Sequence, residues 1–192
     1  MLVFSRHGYK KTATQQIAEA AGVSKGMVFH YFTSKLALFE LLCQTTADFF
    51  KAWAEILTAE IIAMDYIDRY SWLARRKLEA YLQEPERFAF ISMLMLHPEN
   101  QQVSEKVAEI SRQLAALQEE VLVTLAHSGD TGRFREDLAP GDIRRYITFI
   151  LEGYTQEVMA ALKDQPAEDL STSPSWAAFD ALLQDLRTLF YQ

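Results

Sequence analysis

Thr14-Gln15-Gln16-Ile17-Ala18-Glu19-Ala20-Ala21-Gly22-Val23-Ser24-Lys25-Gly26-Met27-Val28-Phe29-His30-Tyr31-Phe32-Thr33-Ser34-Lys35 is the stretch whose reading settles the rest of the chain. Thr14 has the character of an N-cap, and Ile17, Ala18 and Ala21 form a short apolar stripe that Gly22 ends. Ser24 caps a second short helix with Val28 and Phe32 pointing inward, and Ser34 caps a longer one containing Leu38, Leu41, Leu42 and Phe49. Ala18 leaves room for two helices to cross closely, Gly22 takes the sharp turn, and Val23 with Val28 plugs the corner. Upstream, Leu2, Val3 and Phe4 lead into Gly8, which suits the left-handed position at the end of a short helix. Helices this short are marginal alone in water, so these must lean on one another.

Beyond residue 60 the helices lengthen and break at visible signals. One spans Tyr66 to Gln83 and stops at Glu84-Pro85, and another runs from Pro85 to Leu96 and ends at His97-Pro98. The latter is apolar on almost every side, which predicts a helix surrounded by others. A third runs from about Gln101 to Ala126 and is closed by Ser128-Gly129-Asp130-Thr131-Gly132. Pro140 opens a helix with Ile143, Ile147, Ile150, Tyr154 and Val158 on one side, down to Leu162. Gln165 to Pro174, rich in Pro, Ser and acids, reads as a mobile loop before a last helix with Trp176, Phe179, Leu183, Leu186 and Phe190 in three- and four-residue steps. Apolar alternation of period two is absent, and the chain reads as all-α, with about nine helices.

Composition narrows the function. At 192 residues and 49% hydrophobic, the chain can bury a sizeable core, and its longest apolar runs, such as Met93-Leu94-Met95-Leu96, fall far short of the ~20 residues a membrane span needs. A single cysteine, Cys43, allows no intrachain disulfide and fits a reducing cytoplasm; among Leu38, Phe39 and Leu42 it reads as inert packing. The net charge of −7 hides a local reversal: residues 1–36 carry Arg6, Lys10, Lys11, Lys25 and Lys35 against Glu19 alone, a balance of +4 that leaves −11 on the remainder. A small basic head on an acidic body suggests that only the head meets nucleic acid, since phosphate attraction acts over about a Debye length, ~8 to 10 Å. No Glu-x-x-His, His-Glu-x-x-His or cysteine cluster surrounds His7, His30, His97 or His127, and no nucleophile elbow or Gly-rich phosphate loop occurs, so neither a metal, a cofactor nor a catalytic constellation is expected.

Two short helices joined by a tight turn form the layout of a helix-turn-helix, whose second helix lies in the DNA major groove while the first braces it. Phe4-Ser5-Arg6-His7-Gly8-Tyr9, the stretch from Thr14 to Gly26, and Phe29-His30-Tyr31-Phe32-Thr33-Ser34-Lys35 closely resemble the tetracycline-repressor (TetR) family. The match covers about 40 residues. It implies an N-terminal helix-turn-helix DNA-binding domain over 1–34, reaching about residue 45 with the start of the linking helix, and a helical-bundle ligand-binding and dimerisation domain over 46–192. Carried over by position, Lys25, Gly26, Met27 and Tyr31 would face base edges, Thr14, Phe29 and Lys35 would hold phosphates, and Ser24 and His30 complete the DNA-facing set. Relatives commonly have several more residues of first helix than the element beginning here at Leu2, and the resemblance ties their absence to weaker phosphate contact and looser packing under the recognition helix.

The resemblance further implies a homodimer through the last two helices, whose apolar stripes are wider than one intrachain contact needs: Leu183 and Leu186 lie on one side and Leu182 and Leu189 on another, and Gly153 allows close approach. It places an effector pocket among the middle helices, with Trp72, Phe88, Met93 and His97 as candidates for an apolar or amphipathic small molecule. The function expected is a ligand-responsive transcriptional regulator, a repressor on a palindromic operator. The alternative is an adaptor that keeps the helix-turn-helix shape and binds a ligand without an operator.

Overall fold

The computed structural model describes residues 1–162 and 175–192, and among them every regular element is a helix. In order these are α1 (Leu2–Lys11), α2 (Thr14–Ala20), α3 (Lys25–Tyr31), α4 (Lys35–Ile62), α5 (Asp68–Gln83), α6 (Pro85–Leu96), α7 (Pro98–Gln101), α8 (Glu105–His127), α9 (Pro140–Leu162) and α10 (Ser175–Phe190). The loop expected over Gln165 to Pro174 lies outside the described residues. The single-turn α7 stands where the sequence suggested the start of a longer helix, because Ser104 caps α8 instead: its Oγ accepts from Val107 N–H at 3.3 Å.

The helices pack as two units, one of residues 1–55 and 84–119 and the other of 56–83 and 120–192. In the first, Phe39 of α4 is fully buried, with ring centroids of Phe4 at 4.9 Å, Tyr9 at 5.0 Å and Phe90 at 5.6 Å. Ala18, Val28, Leu38, Cys43, Leu94 and Val107 extend this core, so α1 to α4 share it with α6 and the first part of α8. The packing unit is thus larger than residues 1–34. Burial pushes the Cys43 thiol up to about 12, with Glu40 adding to the rise, which keeps the sulfur protonated and unreactive at neutral pH. α6 is not surrounded: Phe90, Met93 and Leu94 are buried while Ala89, Ser92 and Leu96 face solvent, Leu96 being 75% exposed. Two small residues are enough to make one side of an otherwise apolar helix tolerable in water.

In the second unit, Ile143, Ile147 and Leu151 of α9 meet Leu183, Leu186 and Phe190 of α10 around Tyr66, Ile67 and Phe134. Arg69 is fully buried against the Tyr66 ring, 3.8 Å from its centroid; its Nε donates to Tyr66 O at 3.0 Å and its Nη1 to Ser128 O at 2.5 Å. Ser128 follows directly on α8, so the negative end of that helix dipole offsets a cation for which no carboxylate partner is found among the described residues. The Tyr191 hydroxyl donates to Asp65 Oδ1 at 2.6 Å, and burial, then this bond, hold the phenol well above its ordinary range. On the outside, Arg75 Nη2 donates to both carboxylate oxygens of Asp180 and Arg187 pairs with Asp68, joining α5 to α10.

Candidate nucleic-acid interface

The turn between α2 and α3 is built from local chemistry. Gly22 has φ +67°, Gly22 N–H donates to Glu19 O at 3.1 Å, and Val23 N–H donates to Ala18 O at 3.0 Å. These paired bonds close a helix whose first residue past the cap is left-handed, a conformation that glycine adopts without penalty. Ser24 then starts α3 as expected, its Oγ accepting from Met27 N–H at 3.1 Å. Thr14 is not a cap. The N-cap of α2 is Ala13, whose N–H donates to Gln16 Oε1 at 2.8 Å, and Thr14 is the first helical residue. Its hydroxyl, half-buried at the N-terminus of α2, makes no hydrogen bond within the described residues. Val23 is exposed and plugs no corner; Ala18 and Val28 alone are buried there.

Of the seven residues of α3 only Val28 is buried, while Phe32, just past its end, packs on the core. Lys25, Gly26 and His30 are exposed, and so are Met27, Phe29 and Tyr31, at 48%, 44% and 73%. The reason is geometric: Val28 and Phe32 lie four apart on one face, and the only other position of α3 on that face is Lys25 at its exposed first residue. Burying a side chain of this size stabilises by about 1.5 to 3 kcal/mol, so three left wet on one helix mark a surface shaped for a partner. Arg6, Lys10, Lys11 and Lys25 are exposed and in no ion pair among the described residues. A helix ~10 to 12 Å across with cationic, aromatic and hydrogen-bonding side chains fits a major groove ~12 Å wide.

Lys35 stands differently. Its Nζ donates to Tyr9 O and Thr12 O, both at 2.9 Å, and lies 4.3 Å from the Tyr9 ring centroid. Neither Tyr9, Thr12 nor Asn100, which accepts from Tyr9 N–H at 2.8 Å, was marked by sequence reasoning. The φ of +70° at Gly8 was legible; that Asn100 presses within 3.0 Å of where a Cβ would stand was not.

The effector candidates fall in both units. Phe88, Met93 and His97 lie in the first unit and Trp72 in the second. Met93 is a core residue, Phe88 stacks edge-on against Phe50 at 5.1 Å and Trp53 at 6.2 Å, and His97 is exposed with Nδ1 3.7 Å from Glu99. Trp72 is half-buried under the Arg76 guanidinium. A cavity of about 320 Å³ lies among α1, α2, α3 and α4, lined by Leu2, Ile17, Ala20, Met27, Leu38 and Leu42 among others.

A sequence profile described as bacterial regulatory proteins, tetR family, matches residues 1–42. The transcriptional repressor AcnR of Corynebacterium efficiens is 26% identical over 152 residues, 79% of this chain and 73% of that one. The transcriptional regulator RutR of Escherichia coli (strain K12) is 33% identical over 93 residues, 48% of this chain and 42% of that one. Among solved structures, the ketosteroid transcriptional regulator KstR2 of Mycobacterium tuberculosis matches with a TM-score of 0.55 at 16% identity, over 100% of this chain and 90% of that one, a likeness of fold.

Proposed function

We infer that the chain, whose residues 1–42 match the tetR family of bacterial regulatory proteins and which is similar along most of its length to a transcriptional repressor, is a DNA-binding transcriptional regulator that acts as a homodimeric repressor on a palindromic operator and is released by a small-molecule effector. The exposed face of α3 carries this reading: Lys25, Gly26, Met27, His30 and Tyr31 toward base edges, Phe29 and the Thr14 hydroxyl toward the phosphates, with Ser24 setting the helix start. Anions at the N-terminus of α2 gain from its unpaired N–H groups. The domain plan follows, with residues 1–34 as the DNA-binding domain, α4 as the link and 46–192 as the effector and dimerisation domain.

Dimerisation is supported by a second apolar stripe in the second unit. Tyr146, Phe149 and Ile150 on α9 and Leu189 on α10 are exposed, while Ile143, Ile147, Leu183 and Leu186 fill the core of the same helices, and a Cβ at Gly153 would meet nothing within 4 Å. Paired copies would set two recognition helices in successive major grooves, ~34 to 36 Å apart. An effector that favours a different spacing lowers DNA affinity by linkage alone, without touching the DNA contacts.

Genomic fragments retained by the purified chain at moderate salt, then sequenced, are expected to be enriched in one palindrome. Retention without an enriched palindrome would favour the adaptor reading, in which the same fold binds a ligand and no operator.

A further inference from the structure

We propose that Lys35 is a positioning residue, a strut that pins the two ends of the helix-turn-helix to one point and makes no phosphate contact; this rests on the DNA-binding reading above. Lys35 opens α4, while the two carbonyls it holds, those of Tyr9 and Thr12, belong to the end of α1 and the residue after it. Everything between Thr12 and Lys35 is α2, the turn and α3. One ammonium therefore closes the whole loop that carries the recognition surface.

The ammonium has three N–H bonds. Two are given to carbonyls at 2.9 Å and the charge stands over the Tyr9 ring at 4.3 Å. Gly8, at φ 70° and ψ 172°, breaks α1, and both carbonyls stand beyond that break, at the end of its last turn, where carbonyls lack helical partners of their own. Turning Lys35 outward to a phosphate would strand both, a cost that a surface lysine does not meet. The segment it grips is already held from two other directions, by Asn100 Oδ1 on Tyr9 N–H at 2.8 Å and by the Thr12 hydroxyl on Gly8 O at 2.7 Å. Lys25, exposed and in no ion pair among the described residues, is the contrasting case.

The test begins on the unaltered chain. Under limiting acetylation read by peptide mass spectrometry, Lys35 is expected to react about tenfold more slowly than Lys25, since reaction requires the strut to open. A duplex carrying the enriched palindrome should protect Lys25 and leave the Lys35 rate unchanged. Lys35→Met should lower Tm by about 4 °C. At a temperature where circular dichroism shows this variant fully folded, its affinity for the duplex should fall about tenfold while the slope of log affinity against log salt stays that of the parent. Lys35→Arg, able to bridge two carbonyls, should regain most of that affinity, and Lys25→Met should reduce the slope by about one. Lys35 acetylated as fast as Lys25, or a Lys35→Met slope reduced by about one at unchanged Tm, overturns the proposal. If no duplex is bound by the parent chain, the DNA reading fails, and the acetylation rates and the Tm still decide the strut. If Lys35→Met does not fold, the acetylation rates decide it.

Discussion

Phe149→Asp is expected to give a folded monomer whose affinity for a duplex with two half-sites falls by about two to three orders of magnitude. Phe149 is 62% exposed and lies on the side of α9 away from the buried Ile143 and Ile147, while Tyr146 and Ile150, also exposed, flank that buried face. Leu189 of α10, 54% exposed, adds a fourth apolar side chain that finds no place in the core of its own unit. A carboxylate at an already hydrated position costs a single copy little, whereas buried between two copies it would be an unpaired charge at the centre of an apolar contact. The two half-sites are then bound independently, and the gain from tethering is lost. Sedimentation and titration of the duplex check both parts. A variant that stays dimeric with parental affinity sinks the assignment of α9 and α10 as the interface.

Phe39→Ala should destabilise the first unit by about 3 to 5 kcal/mol. Phe39 is fully buried, and three aromatic rings, from α1 and α6, stand within 5.6 Å of its centroid. Those rings are held by separate helices and cannot collapse together without moving α1, so most of the void remains and the lost transfer and dispersion terms add. Phe39→Leu, which refills part of the volume, should cost clearly less. Urea unfolding followed by circular dichroism measures the difference. A change under about 1 kcal/mol for the alanine variant would mean that the aromatic cluster does not hold α1 to α4.

What could be read from the chain was what local chemistry decides. Gly22 and Ser24 were legible because a left-handed turn and an N-cap are settled within five residues. Pro85 marked a helix start for the same reason, through a missing N–H and a fixed φ, whereas Pro98, read only as a stop, also opens a helix, α7. Thr14 was misjudged as a cap because Gln16 reaches back to Ala13, an arrangement as local as the expected one and equally compatible with the residues present. The exposed face of α3 could be inferred from the spacing of Val28 and Phe32. The engagement of Lys35 could not, since its partners lie 26 and 23 residues away and are backbone carbonyls, which leave no mark on a sequence. The same limit applies to Met93, which has the side chain of a pocket residue and the surroundings of a core, and only packing distinguishes the two.

Methylation interference at guanine N7 on the enriched duplex probes the central claim most directly, because N7 faces only the major groove. The account predicts two patches of interference centred one helical turn apart, ~34 to 36 Å, each lost or weakened by Tyr31→Ala in the same chain. One patch alone, or tight binding that N7 methylation leaves untouched, would contradict a paired recognition helix presenting Lys25 to Tyr31.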